Sequence, residues 1–160
     1  MTDTTANDTT ATDTTANDTT ANDTTDPGFS TWPALRYRDA RGAIAYLTDV
    51  LGFEAVAVYG EGDRVEHAEL RWTGSGGAPG GVMLGSVRED STIAGLPAGV
   101  GAVYLAVDDD TIETIFDRAR QSAGRIVEAL REEDHGGRGF TVIDPEGVHW
   151  SLGTYVGHVG

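Results

Sequence analysis

Residues 140–155 read Phe-Thr-Val-Ile-Asp-Pro-Glu-Gly-Val-His-Trp-Ser-Leu-Gly-Thr-Tyr, and the fold turns on them. Phe140 to Ile143 is aromatic and β-branched, the composition of a strand. Asp144-Pro145-Glu146-Gly147 then supplies a turn: Pro145 presets its φ, and Gly147 tolerates the conformation that closes it. From His149 to Val156 the chain alternates. Trp150, Leu152 and Thr154 point one way, and His149, Ser151, Gly153 and Tyr155 point the other. One apolar face and one face of His, Ser and Tyr predict a sheet with helices packed behind it and a cavity in front.

Working outward, the same elements recur in the same order. Thr31 to Arg38 reads as a first strand. Asp39 N-caps a helix running to about Leu51, with Ile44, Leu47 and Leu51 on one stripe, and Gly52 takes the left-handed position that ends it. Strand-like runs follow at Glu54–Tyr59, Val65–Trp72 and Gly81–Val87, then a linker from Arg88 to Gly99. Gly101–Val107 starts the second round. Asp110 and Glu113 have capping-box spacing ahead of a helix carrying Ile112, Ile115, Phe116 and Ala119, stopped at Gly124. Strands at Arg125–Arg131, Arg138–Ile143 and His149–Val156 complete it. Strand–helix–three strands, twice, is an internal duplication. The expectation is an α+β protein of two paired βαβββ modules, about residues 31–88 and 100–156, forming a curved, cavity-enclosing sheet.

Composition divides the chain at its start. Residues 2–25 repeat (Ala/Thr)-(Asn/Thr)-Asp-Thr-Thr, without a large apolar or basic side chain. Such a segment cannot bury enough apolar surface to offset its ordering entropy, so residues 1–28 are expected to be a disordered tail and residues 29–160 the folded domain. The net charge is −15, of which the repeat's five Asp carry a third, leaving −10 on residues 26–160. That balance argues against nucleic acid or an anionic membrane as partner and is compatible with a cationic ligand. There is no cysteine, hence no disulfide and no thiolate chemistry. No basic n-region with an apolar h-region opens the sequence, and no apolar run approaches the ~20 residues of a membrane span, so a cytoplasmic protein is expected.

LRYRDARGAIAYLTDVLGF (35–53), VYLAVDD (103–109) and FTVIDPEGVHWSLGTY (140–155) together resemble the vicinal oxygen chelate superfamily of glyoxalase I, bleomycin-resistance proteins and extradiol dioxygenases. The resemblance spans about residues 31–156 and implies that superfamily's fold. It does not fix an activity, since the fold hosts isomerases, dioxygenases, thiol transferases and drug-sequestering proteins. Glyoxalase-like members place a metal ligand on the first strand and on a later strand of each half. By spacing those positions fall on Trp32, Glu69, Ala102 and Ser151. One carboxylate in four is no metal site, because three or four N/O ligands must converge. No cofactor is therefore expected. The alternative is a divalent metal in a rebuilt site of His67, Glu69 and His149, serving a lyase, isomerase or dioxygenase.

His67 and Glu69, two apart on a strand, share a face and are the candidate catalytic pair, His67 as a general base near neutral pH. Trp32, Tyr104 and Tyr155 would give the cavity aromatic walls for a planar or cationic ligand, with His149 and Ser151 entering from the second half. Trp72 and Trp150 have the opposite parity and belong under the helices. The resemblance puts Arg138, after the Gly136-Gly137 turn, at the cavity mouth, to clamp a carboxylate or pair with a neighbouring acid. The expected role is binding of a small organic molecule, drug-like or cationic and aromatic, and the resemblance implies a homodimer.

Overall fold

The computed structural model describes residues 30–90, 95–134 and 136–158. The repeat tail expected to be disordered lies outside these residues. The first module runs β1 (Ala34–Tyr37), α1 (Ala40–Tyr46), β2 (Glu54–Tyr59), β3 (His67–Thr73) and β4 (Pro79–Ser86). The second runs β5 (Ala102–Ala106), α2 (Ile112–Arg120), β6 (Arg125–Glu132), β7 (Arg138–Ile143) and β8 (His149–Gly153). Each module folds one four-stranded mixed sheet, in the orders β1-β4-β3-β2 and β5-β8-β7-β6. The first strand of each pairs parallel to the last, and the other pairings are antiparallel.

The duplication extends to register. Leu35 stands opposite Leu84 in one sheet and Leu105 opposite Leu152 in the other. Val82-Met83-Leu84-Gly85-Ser86 therefore corresponds to Trp150-Ser151-Leu152-Gly153-Thr154. Both sheets turn one face to a single core. Ala68, Leu70 and Trp72 of β3, Phe140 and Val142 of β7, and Trp150 and Leu152 of β8 are all buried in it. Phe53 bridges the halves, with its ring 5.2 Å from Trp72 and 5.6 Å from Trp150. Each large apolar side chain fully buried here contributes roughly 1.5–3 kcal/mol.

Several boundaries differ from the sequence reading, for local reasons. The helix expected to reach Leu51 is α-helical only to Tyr46, and Leu47–Leu51 forms a π-helical turn. Both Gly52 and Phe53 donate to the Leu47 carbonyl at 3.0 Å, and Gly52 has the left-handed φ of 97° that ends the helix. Asp39 caps α1 as expected, accepting from the Gly42 N–H at 2.8 Å. The capping box on α2 is not formed. Thr111 occupies the N-cap but its hydroxyl donates backwards to the Asp108 carbonyl at 3.0 Å instead of capping the helix, and the Glu113 carboxylate is taken by Arg138 Nη1 at 2.7 Å. The last strand stops at Gly153, before Tyr155.

The modules grip each other reciprocally. In the second, the 144–147 turn reaches the β1–α1 junction, where the Glu146 carboxylate accepts from the Arg38 and Asp39 N–H groups at 2.8 and 2.6 Å. In the first, the β3–β4 loop reaches the β5–α2 junction. There Asp108 accepts from the Ser75 hydroxyl at 2.6 Å and the Gly76 N–H at 3.1 Å. The buried carboxylate of Asp144 lies at the centre of the first joint. Its Oδ1 accepts the N–H groups of Glu146, Gly147 and Val148, and its Oδ2 accepts the Tyr37 hydroxyl at 2.8 Å and Trp150 Nε1 at 3.0 Å. With five donors around it, Asp144 is a satisfied structural anion. Burial and the adjacent Asp144 carboxylate hold the Tyr37 phenol far above its ordinary pKa.

Candidate functional site

Strand alternation gives each sheet a second, polar face away from the core. On the second module that face forms a recess of about 250 Å³, lined by Tyr104, Glu128, Arg138, Thr141, Ser151 and Tyr155 among others, all of them from the second module. Tyr104 and Tyr155 are 50% and 41% exposed, so their rings are accessible to a ligand. The Tyr104 hydroxyl donates to the Tyr155 carbonyl at 2.9 Å, which ties the segment after β8 back onto β5. Burial raises the pKa of this phenol, so Tyr104 stays neutral and a donor at physiological pH.

The floor of the recess is a directed chain of hydroxyls. Thr141 Oγ1 lies 3.1 Å from Glu128 Oε2 and 3.0 Å from Ser151 Oγ. An ionised carboxylate can only accept, so Thr141 donates to Glu128 and accepts the Ser151 proton. Ser151 thereby keeps its oxygen lone pairs for a ligand and acts as an acceptor. That arrangement matches an N–H donor and repels an anionic oxygen.

The remaining sequence candidates are placed as follows. His67 and Glu69 share the polar face of β3 and bond each other, His67 Nε2 to Glu69 Oε1 at 2.9 Å. The Tyr59 ring stacks over His67 at 6.2 Å. Neither His67 nor Glu69 lines the second module's recess. Trp32 is half-buried ahead of β1, and His149 is exposed at the start of β8. Arg138 pairs with Asp109 at 2.8 Å and Glu113 at 2.7 Å, the acid-pairing alternative of the two weighed from sequence. Both contacts hold its guanidinium in the charged form. The structure thus gathers Tyr104, Arg138, Ser151 and Tyr155 around one recess, joins His67 to Glu69 elsewhere, and does not bring His149 or Trp32 into the recess lining.

The positions that spacing assigned to a glyoxalase-type metal hold Trp32, Glu69, Ala102 and Ser151, one carboxylate among four. Among the described residues no group of three His, Cys, Asp or Glu side chains stands close enough to hold an ion. Register sharpens the point: the first-module counterpart of Ser151 is Met83, while Glu69, opposite Met83, corresponds to Thr141 opposite Ser151. Glu69 and Ser151, paired by spacing, are not related by the internal repeat, and Met and Ser at the related pair are poor ligands for a hard divalent ion.

Glu128 and Thr141 escaped the sequence reading. Thr141 was accessible in principle, since the alternation of β7 and its antiparallel pairing put it beside Ser151. Glu128 was not, because register shifts interrupt the β6–β7 ladder on either side of it.

Two mixed βαβββ sheets with a shared core and polar outer faces define the class: a paired-module α+β fold. The chain belongs to the Glyoxalase/Bleomycin resistance protein/Dioxygenase superfamily, whose sequence model matches residues 30–152. The Mycobacterium bovis protein Mb0911c is 32% identical over 139 residues, covering 79% of this chain and 84% of its own length. The Mycobacterium tuberculosis protein Rv0887c is likewise 32% identical, over 79% of this chain and 75% of its own. Among solved structures, TioX from Micromonospora sp. ML1 superposes with a TM-score of 0.63 at 24% identity, over 82% of this chain and all of its own. A superfamily member from Nocardioides gives 0.56 at 17% identity, over 86% and 94%. At these identities the structural matches speak to the fold alone.

Proposed function

We propose that the protein binds a small, planar organic molecule carrying an N–H donor or positive charge, in the recess of the second module and without a metal of the glyoxalase type. The observation that carries this reading is the Ser151–Thr141–Glu128 chain, which ends in a carboxylate and presents Ser151 as an acceptor between two accessible tyrosines. Aromatic walls hold a planar cation by stacking and by attraction to the ring faces, worth ~0.5–2 kcal/mol per ring. The acidic chain favours the same ligand charge. A homodimer belongs to this reading. The recess is lined by one module only and is small for a drug-sized molecule, so the polar face of a second copy would complete its cover.

The second reading rests on the 2.9 Å contact between His67 and Glu69. The carboxylate fixes the tautomer of the imidazole, as in a general base held for proton transfer. A fluorescence titration with planar aromatic cations separates the two. Under the binding reading, saturable binding is weakened by Tyr104→Ala and Ser151→Ala and unchanged by His67→Ala. Dependence on His67 with indifference to Tyr104 would transfer the site to the first module.

A further inference from the structure

A second cleft lies between the π-helical turn, the β3–β4 loop and α2. It measures about 470 Å³. Its floor is apolar, from Leu51, Trp72, Val107 and Ile115. One wall is a single face of α2, where Thr111, Thr114 and Arg118 follow at spacings of three and four. Gly52, Gly74 and Gly77 line it without side chains to close it, and a Cβ on Gly52 would meet Arg118 Nη2 at 3.4 Å.

Arg118 is the unusual group. Its neighbours Arg120 and Arg138 are both paired with carboxylates. The Arg118 guanidinium forms no ion pair or hydrogen bond among the described residues, although the chain has 26 acidic side chains against 11 basic ones. The other charge in the cleft, Asp108, is engaged by Ser75 and Gly76 at the opposite end of the α2 wall. A cation over an apolar floor, with hydroxyls alongside and an anion at the far end, defines a ligand with one negative charge on an apolar body.

We propose that this cleft is a binding site for small apolar monocarboxylates. The carboxylate pairs with the Arg118 guanidinium, the body lies on Trp72, Leu51 and Ile115, and Asp108 disfavours a second negative charge. The fork of an arginine suits a carboxylate bidentately. The cleft volume falls in the ordinary range for small-molecule sites, roughly 300–1,000 Å³. The inference is independent of the recess on the second module.

Isothermal titration of the full chain with 3-phenylpropionate tests it, with 3-phenylpropan-1-ol as the neutral analogue and phenylsuccinate as the dianion. The carboxylate is expected to bind saturably and quench Trp72 fluorescence, and both analogues to bind more weakly. Arg118→Gln should lower the affinity roughly ten- to a hundredfold, the loss of a charge-assisted pair. Arg125→Gln, at another arginine without a described partner, should leave it unchanged, as should Ser151→Ala. Absence of saturable binding, equal affinity in Arg118→Gln, or equal affinity for the alcohol or the dianion would overturn the proposal.

Discussion

At the scale of single residues, Asp144 is the most consequential side chain. Its carboxylate gathers three backbone N–H groups, a phenol and an indole, and so fixes the hairpin turn and the contact between modules together. Asparagine has one acceptor oxygen where aspartate has two, and its amide would face the Trp150 N–H, which can only donate. Asp144→Asn should therefore destabilise the fold by about 2–4 kcal/mol, read as a lower urea midpoint at unchanged m-value. A change under ~0.5 kcal/mol would show that the network is dispensable. Tyr37, its partner, predicts a pH effect. The folded phenol titrates far above the unfolded value of about 10, so the unfolded chain loses its proton first. The stability linked to Tyr37 is thus whole below pH ~10 and falls as pH rises beyond it, by up to ~1.4 kcal/mol per pH unit. Tyr37→Phe should be less stable at neutral pH and should flatten this alkaline slope, measured by urea unfolding between pH 9 and 11. An unchanged slope would contradict the assignment.

At the scale of elements, much was legible because patterning is local. The alternation of β8, the N-cap Asp39 and the stop at Gly52 all hold, and Trp72 and Trp150 lie in the core as their parity required. What failed was decided by partners distant in sequence. Glu113 has capping-box spacing from Asp110, yet the N-cap is Thr111, and Arg138, 25 residues away, takes the carboxylate. Glu128 became visible only once irregular pairing had set its face. Met83 emerged as the counterpart of Ser151 only from register, since spacing alone pointed to Glu69. The end of α2 offers a test of packing. Gly124 lies so close to the Tyr46 hydroxyl that a Cβ there would overlap it and would also stand 3.0 Å from the Ile143 carbonyl. Gly124→Ala should cost about 1–3 kcal/mol in thermal or urea unfolding, the scale of overpacking. Adding Tyr46→Phe should recover part of that loss, because the colliding oxygen is gone. Additive losses would place the strain elsewhere.

At the scale of the whole molecule, two sheets share one core and leave two polar faces, each carrying one cluster of polar side chains. The first carries the His67–Glu69 pair and the second the Ser151–Thr141–Glu128 chain, and the family alone does not choose between them. Among the described residues no helix is long and apolar enough to cross a membrane. If a second copy completes the recess, sedimentation equilibrium should find a dimer, and planar cations should tighten it. A strict monomer that binds them with full affinity would refute that cover. The central claim, binding without a glyoxalase-type metal, is tested most directly by calorimetric titration of metal-stripped protein with Ni²⁺, Co²⁺, Mn²⁺, Zn²⁺ and Fe²⁺. The account predicts no binding tighter than a weak surface site, whereas near-stoichiometric binding lost in His67→Ala and Glu69→Ala would contradict it.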